Sequence, residues 1–492
     1  GVAADGVSRL YFKVKRGNDT MPAIKKVEVS LKDYDAAFAT LRGKLKKADT
    51  LLLNQYTTEA STGTSSETSR TDSTKKGEFW FWYVSPEDFS ISSTSPYASL
   101  TERKDSVKIK VTYSNDTKDS VYLDVRVVRP PLVLVHGLAS SPAAWDPFKN
   151  AAGTAFVNND LYKYRHAMQM DGRAAFIDNA KKLVAGDIAL GEGTARLSTL
   201  QGNIEEMRAM GFAANQVYYV CHSMGGIMAR CAIRWYSDKY LADGNYRYNN
   251  YGKGFIHKLI TINTPHNGAV PGDLVGEFIP QAPQTVNIAL NELYSYFPDE
   301  QIPFDFIVPD QYGVTSKFGP SPAVSNLSIA KKYGGIQMVA TNVRYHMITG
   351  DVALVPAFVT SVLSASAPYI KMLNFILEAA RALSPEPIRS VLTGFIKLGQ
   401  VLGAMSFMEW AHTKNNFPGY LNGSDLIVPL LSETARQSPD FSLHITKYTG
   451  FSAWHSSILG RTDVGDRVLE LLNTKVSSNF YADIIPANND VQ

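Results

Sequence analysis

The segment that most constrains the fold is a serine-bearing heptapeptide, Val-Cys-His-Ser-Met-Gly-Gly, at residues 220–226. An apolar β-type run at 217–220 leads into it, and a helix-like run at 227–236 follows. A strand, a sharp turn and a helix in this order present a serine at the carboxyl end of the strand. Such a turn needs small residues two positions before and after the serine. Gly225 meets this requirement, whereas Cys221 stands where glycine is usual.

A second motif has the features that a reactive serine requires. A serine hydroxyl barely ionises at neutral pH, so it needs a base and hydrogen-bond donors for the oxyanion that forms. A buried-strand run at 132–135 ends in His136 and Gly137, and the loop that follows can aim a backbone N–H at the serine. We expect Leu138 and Met224 to be the oxyanion donors. His136 and Gly137 are expected to support the loop rather than to supply a base.

Five segments together resemble the α/β-hydrolases, specifically the bacterial lipase and esterase branch. The segments are 129–137, 222–226, 261–268, 423–429 and 454–456. The resemblance covers about residues 129–475 and extends to relatives that act on phospholipids or lipid anchors. Two positions depart from the pattern, Cys221 in the turn and Leu426, which stands where these lipases usually have glycine after the acid.

The resemblance implies a catalytic triad in the chain order serine, acid, histidine. It assigns Ser223 as the nucleophile, Asp425 as the acid and His455 as the base. The residue types fit these roles, because histidine titrates near neutrality and a carboxylate can hold its tautomer. Asp351 is the alternative acid, since it also follows a predicted strand.

Length and composition predict more than one domain of ordinary globular character. A chain of 492 residues is too long for one ordinary core. The formal net charge of +3 is small for this size and gives no argument for nucleic-acid binding. We expect a β-rich domain at residues 1–128 and a catalytic domain at residues 129–492.

The N-terminal domain is predicted to be an immunoglobulin-like sandwich, because apolar and polar residues alternate along several of its runs. The clearest alternations lie at 9–14, 26–31, 107–112 and 121–127. One short helix is expected at about residues 34–47. Trp80 and Trp82 share one strand face, which is typical either of a packed core or of a surface that binds a polymer or a cell-surface ligand.

The catalytic domain is predicted to be an α/β fold, a largely parallel sheet with helices on both faces. Helices are expected at 174–183 and 197–210, and strands at 257–263 and 336–341. Two insertions interrupt this alternation, at about 271–327 and 351–418. The second is apolar with helical spacing, which fits either packed helices or a mobile lid that shields the serine and contacts lipid. We favour the lid.

These features predict a secreted or cell-envelope-associated serine carboxylic ester hydrolase, a lipase that cleaves acyl esters of lipids through an acyl-enzyme. Related alternatives are an acyltransferase, a phospholipid or lipid-anchor deacylase and a polyester-degrading esterase. A non-catalytic cell-surface binding protein on a hydrolase scaffold is the alternative from another class. The expected chemistry needs no cofactor and no metal. The alternative is a calcium ion bound at an aspartate-rich loop that includes Asp463 and Asp466. The expected partner is an ester or lipid substrate.

Overall fold

The fold is described from a computed structural model over the parts of the chain that it defines. The described residues are 1–31, 41–47, 67–69, 78–138, 140–151, 162, 165–172, 174–184, 197–235, 250–269, 323, 326–327, 343–351, 425, 428, 430–434, 444–453, 455, 457–476 and 480.

The N-terminal part of the chain forms two sheets. Its strands are β1 (Val2–Ala3), β2 (Arg9–Lys15), β3 (Ile24–Leu31), β4 (Lys44–Lys47), β5 (Glu67–Ser69), β6 (Glu78–Val84), β7 (Glu102–Tyr113) and β8 (Lys118–Val128). One sheet has the order β1-β8-β7-β3-β5 and the other β2-β6-β4. Buried side chains from both sheets, among them Val27, Phe81 and Val107, share one hydrophobic cluster. The immunoglobulin-like arrangement of strands stays a prediction.

The helix expected at about residues 34–47 is wrong over its last four residues, which form strand β4. Leu45 is fully buried opposite Tyr83 of β6, while Lys44 is exposed. The apolar residue therefore faces the core with the two-residue period of a strand. Pairing with a neighbouring strand outweighs the helix propensity of leucine and lysine here. Residues 34–40 of the expected helix lie outside the described residues.

Trp82 belongs to the packed interior rather than to an exposed aromatic surface. Its side chain is 7% exposed. The Tyr11 ring lies 4.6 Å from it, edge-on, and the Arg9 guanidinium covers it at 4.6 Å from the ring centroid. These contacts favour the core alternative for this tryptophan. The side chain of Trp80 lies outside the described part of the structure.

The rest of the chain contains a six-stranded parallel sheet. Its strands are β9 (Leu132–Val135), β10 (Arg165–Met168), β11 (Val217–His222), β12 (Ile256–Ile262), β13 (Arg344–Asp351) and β14 (Ile445–Thr449). They follow the order β10-β9-β11-β12-β13-β14, and every neighbouring pair is parallel. The largely parallel sheet expected from the sequence is therefore present.

Helices cover both faces of this sheet. They are α1 (Asp146–Ala151), α2 (Phe176–Val184), α3 (Leu200–Ala209), α4 (Met224–Trp235), α5 (Leu430–Glu433) and α6 (Thr462–Asn473). Along β11, Tyr219 packs in one hydrophobic cluster with residues of α2, α3 and α4. Val220, the next residue, packs in a second cluster with residues of α1 and α6. This alternation puts one helical layer on each face. No helix in the described ranges has the length and apolar character that a bilayer span requires.

Several sequence predictions fall on residues that the structure does not describe. The strand expected at 336–341 lies outside the described residues, and β13 begins at Arg344. Apart from a few isolated residues, the insertions at 271–327 and 351–418 lie outside them as well. The choice between a lid and packed helices stays a prediction.

Buried polar contacts join the N-terminal sheets to the parallel sheet. The Asp5 carboxylate accepts hydrogen bonds from the backbone N–H groups of Asn215 and Gln216, at 3.0 and 3.2 Å. Lys258 Nζ lies 3.3 Å from Asp88 Oδ1. Asn215 and Gln216 directly precede β11, and Lys258 is near the start of β12. The N-terminal sheets therefore contact the amino ends of these central strands.

Candidate active site

Ser223 lies at the turn between β11 and α4. Its backbone has a φ of +53°, in the left-handed region that non-glycine residues rarely adopt. The Ser223 N–H donates to the carbonyl of Ile262, the last residue of β12, at 2.9 Å. The residue is 7% exposed. The neighbouring strand thus holds the serine in an unfavourable conformation that presents its hydroxyl at the carboxyl end of the sheet.

The close packing of the turn explains how Cys221 is accommodated. A Cβ atom at Gly225 would lie 2.6 Å from the carbonyl oxygen of Val135 and 3.2 Å from the Cβ of Cys221. The Cys221 thiol is fully buried and donates to the Ile260 carbonyl at 3.4 Å. The space left by Gly225 therefore lets the turn hold a cysteine at the position where glycine is usual.

The loop after β9 lies directly against the serine. A Cβ atom at Gly137 would be 2.6 Å from the Ser223 Cβ and 3.0 Å from its Oγ. Leu138 follows Gly137 and Met224 follows Ser223. The backbone N–H groups that we expect to bind an oxyanion thus belong to two segments that meet at the serine.

His136 holds this loop through hydrogen bonds between its ring and the backbone. Its Nε2 accepts a hydrogen bond from the Met170 N–H at 3.1 Å, so the ring proton is on Nδ1, which lies 2.9 Å from the Gly137 carbonyl. Burial lowers the pKa of His136, which keeps the ring neutral. Both nitrogens are engaged with backbone groups, as a supporting role requires.

Ser223, His455 and Asp425 form one connected chain of side chains. Ser223 Oγ lies 2.8 Å from His455 Nε2, and His455 Nδ1 donates to the Asp425 carboxylate. Asp425 also accepts a hydrogen bond from the Val428 N–H at 2.6 Å and is fully buried. The backbone N–H of His455 donates to the Asp425 carbonyl at 3.1 Å. The imidazole is thereby oriented with Nε2 toward the hydroxyl.

The alternative acid has a different partner. Asp351 is the last residue of β13, and its carboxylate lies 2.5 Å from Lys447 Nζ on β14. His455 is oriented by Asp425 instead. Of the two carboxylates considered from the sequence, the structure brings Asp425 to the histidine.

His222 has a structural relation to His455 that the sequence does not indicate. Its Nε2 lies 2.6 Å from the His455 carbonyl oxygen. Burial, together with the nearby His455, lowers the pKa of His222 to about 3. The ring is therefore neutral near pH 7, and its Nε2–H donates to that carbonyl. Its place beside the serine was the only available signal, and that position alone assigns no role.

Glu433, at the end of α5, is a second acidic side chain next to Asp425. It is 1% exposed, and its Oε2 accepts a hydrogen bond from the Gly350 N–H at 3.0 Å. Burial, followed by the charge of Asp425, raises the pKa of Glu433 well above its usual range. No sequence motif marks Glu433, because it lies in an ordinary Ser-Glu-Thr segment after the acid loop.

One of the two aspartates considered for calcium, Asp463, is paired with an arginine. Both oxygens of Asp463 accept hydrogen bonds from the Arg461 guanidinium, at 2.9 and 2.7 Å. Within the described part of the chain, no group of three or more histidine, cysteine, aspartate or glutamate side chains is placed to hold a metal ion.

Comparisons with known proteins place part of this chain in a functional context. Residues 131–273 match the family described as "Putative serine esterase (DUF676)". This segment runs from β9 past β12, so it includes Ser223 and the loop after β9 but neither Asp425 nor His455. The match supports a hydrolase of the serine esterase kind. No curated protein matches the chain.

Three solved structures show distant likeness. A lipase from Staphylococcus hyicus is 14% identical, with 70% of this chain and 92% of that one covered and a TM-score of 0.30. An extracellular α/β-hydrolase from a Paenibacillus species is 13% identical over 33% of this chain and 54% of that one, with a TM-score of 0.16. A sialyltransferase from Photobacterium damsela is 12% identical over 70% and 54%, with a TM-score of 0.17. Likeness at this level carries no argument about function.

Proposed function

We propose that this protein is a serine hydrolase that cleaves carboxylic esters through an acyl-enzyme, with lipid esters as its substrates. The observation that carries the proposal is the 2.8 Å contact between Ser223 Oγ and His455 Nε2, with Asp425 on the other ring nitrogen. A hydroxyl, an imidazole and a carboxylate in this connection form the unit that converts serine into a nucleophile.

In the acylation step, Ser223 Oγ attacks the ester carbonyl carbon while His455 Nε2 takes the hydroxyl proton. Asp425 stabilises the imidazolium that forms, and Val428 N–H holds the carboxylate in place. The backbone N–H groups of Leu138 and Met224 are proposed to bind the developing oxyanion. His455 then gives its proton to the departing alkoxide, leaving an acyl group on the serine.

In the deacylation step, the same histidine removes a proton from water, which attacks the acyl carbonyl. The tetrahedral intermediate collapses, the acid departs, and Ser223 recovers its proton from His455. These two steps use side chains and backbone N–H groups of this protein together with water.

The lipid part of the proposal depends on the insertion at 351–418, whose largely apolar sequence fits a cover for long acyl chains. The insertion at 271–327 is rich in proline and aromatic residues and is expected to cap the same site. A secreted or cell-envelope location belongs to the same proposal and depends on the resemblance to bacterial lipases. An acyltransferase would share the acyl-enzyme and differ in the group that accepts the acyl chain.

Labelling with a fluorophosphonate probe tests the nucleophile. Wild-type protein should become covalently labelled, and Ser223→Ala should not. Ser106→Ala is the matched control, because its hydroxyl lies on β7 and donates to Asp124 in the N-terminal sheet. Labelling that survives Ser223→Ala, or that is absent from wild type, would contradict the proposal and favour a binding protein on a hydrolase scaffold.

The substrate class needs a separate measurement. p-Nitrophenyl esters of increasing acyl length are compared with emulsified triglyceride, and the lipid proposal expects cleavage of long-chain esters and of the emulsion. Cleavage of short soluble esters alone would leave the esterase in place and contradict the lipid substrate. Product analysis with an added alcohol then separates hydrolysis from acyl transfer.

A further inference from the structure

Glu433 is a buried carboxyl group that the acyl-enzyme chemistry does not use. Its Oε2 accepts the Gly350 N–H, whereas its Oε1 is shielded from solvent and receives no donor from the described residues. An ionised carboxylate in such surroundings is costly, because burial removes its hydration and one amide replaces little of it. A neutral carboxyl group would have a hydrogen to donate from the shielded side.

Asp425 is the group that can accept this hydrogen. Burial, the charge of Asp425 and hydrogen bonding with Asp425 raise the pKa of Glu433, which puts the two carboxyl groups beside each other. Two carboxylates can only accept, so contact between them requires a proton on one of the pair. Each carboxylate oxygen of Asp425 already accepts an N–H group, Oδ1 from Val428 and Oδ2 from His455. The proton therefore belongs to Glu433.

We propose that Glu433 is a positioning residue that carries a proton and donates a hydrogen bond to Asp425, so that Asp425 stays aligned with His455. The inference rests on the proposed role of Asp425. It gives β13 a function in the site, because Gly350 on that strand holds the other oxygen of Glu433. The acid loop is thereby tied to the sheet through a side chain rather than through the strand's own carboxylate, Asp351.

The charges around Glu433 set the expected pH dependence. Burial is the largest cause of its raised pKa, and the charges of Asp425 and Asp351 raise it further. Lys447 on β14 forms an ion pair with Asp351. His455 is hydrogen-bonded to Asp425, on the other side of that carboxylate. The folded-state pKa is above the ordinary value of 4.5. Protonated Glu433 therefore stabilises the fold fully below pH 4.5, and this contribution falls as the pH rises toward the folded pKa and is lost above it.

Glu433→Gln is the matched variant for the activity test. Its amide nitrogen can donate to Asp425 and its amide oxygen can accept from Gly350, so kcat should stay within about 3-fold of wild type. Glu433→Ala removes the donor, and kcat should fall about 10- to 100-fold with KM little changed, as expected for one hydrogen bond to a charged group. Equal losses in the two variants would overturn the proposal.

The second test does not depend on activity. In a Ser223→Ala background, thermal midpoints are measured with and without Glu433→Gln from about pH 4 to pH 9. The glutamine variant cannot lose a proton, so its midpoint should rise relative to its parent as the pH increases. A difference that stays constant over this range would overturn the proposal, because it means that Glu433 is not protonated in the fold.

The two tests separate this inference from the proposed function. If wild-type protein fails to react with the fluorophosphonate, the proposed function is wrong, and the midpoint comparison still decides the protonation of Glu433. If Glu433→Ala does not fold, the pH dependence of the thermal midpoint of Glu433→Gln still tests whether Glu433 is protonated. Loss of labelling in Ser223→Ala together with a flat midpoint difference would retain the hydrolase and reject the protonated glutamate.

Discussion

At the scale of single residues, the site depends on side chains that hold one another in place. Ser223 is kept at a φ of +53°, and His455 is held by Asp425 through both its ring and its backbone. Local sequence was enough to select Ser223 as the candidate nucleophile, because the strand, turn and helix around it are contiguous. The family resemblance favoured Asp425 over Asp351, but the residues alone left Asp351 open, because the choice depends on which loop end meets His455 in space.

The first prediction concerns the acid. Asp425→Asn should lower kcat by about 10⁴-fold, because the amide no longer stabilises the imidazolium or holds the correct tautomer of His455. Asp351→Asn should retain most of the activity, since Asp351 pairs with Lys447. Steady-state kinetics on a p-nitrophenyl ester measure both, with circular dichroism to verify folding. If Asp351→Asn lost its activity while Asp425→Asn kept it, Asp351 rather than Asp425 would be the acid.

The second prediction concerns His222. His222→Ala should lower kcat about 10-fold, because it leaves the His455 carbonyl without the ring N–H that it accepts at 2.6 Å. His222→Gln places an amide N–H near the same carbonyl and should recover most of the activity. Kinetics of the two variants make the comparison, and an inactive glutamine variant with normal folding would argue against the hydrogen bond as the reason.

The pH dependence of stability checks the same residue independently of turnover. Because the pKa of His222 falls from 6.5 to about 3 on folding, its contribution to stability is present above pH 6.5 and is lost as the pH falls toward 3. Denaturant unfolding of wild type and His222→Gln between these values should show a steeper loss in wild type. Parallel curves would mean that His222 does not remain neutral in the fold.

At the scale of elements, strands buried on both faces were predicted most accurately. Leu132–Val135 consists only of leucine and valine, and Ile256–Ile262 is rich in isoleucine apart from His257 and Lys258. Local composition of this kind is typical of a buried strand. The segment Lys44–Lys47 was mistaken because four residues carry too little periodicity, and its pairing with β6 comes from distant sequence. Glu433 escaped notice for a similar reason, since only α5 and β13 together bring it beside Asp425.

The third prediction concerns the loop after β9. Gly137→Ala should lower kcat about 100-fold, because the added Cβ would lie 2.6 Å from the Ser223 Cβ and must displace the serine or the loop. Gly460→Ala is the control, since a Cβ there would be 3.9 Å from the nearest atom. Kinetics and fluorophosphonate labelling rates measure the effect, and an active Gly137→Ala would show that the loop can move aside freely.

At the scale of the whole molecule, a buried ion pair joins the N-terminal part of the chain to the parallel sheet. Lys258 is fully buried, lies beside Asp88, and donates to the Thr474 carbonyl at 2.6 Å, just beyond α6. Burial raises the pKa of Asp88 and lowers the pKa of Lys258, so each charge depends on the other. The sequence predicted two domains, but it could not predict a junction built from single polar residues far apart in the chain.

The fourth prediction tests this junction. Asp88→Ala should lower the free energy of unfolding by about 3–5 kcal/mol, because it leaves the Lys258 ammonium buried without its carboxylate. Asp19→Ala removes the partner of Arg16 in a pair whose aspartate is exposed, and it should leave stability close to wild type. Urea unfolding followed by fluorescence compares them. Similar stability of both variants would mean that water hydrates Lys258 in the folded protein.

The position of the Asp88–Lys258 junction has a consequence for any surface that the N-terminal sheets would bind. The N-terminal sheets contact the central strands at their amino ends. Ser223 follows the last residue of β11, and the six residues of that strand span about 20 Å. A particle or wall held by the far side of those sheets would sit behind the reactive hydroxyl. Bound in that way, the molecule would aim its chemistry outward, toward material arriving from solution rather than toward its own anchorage.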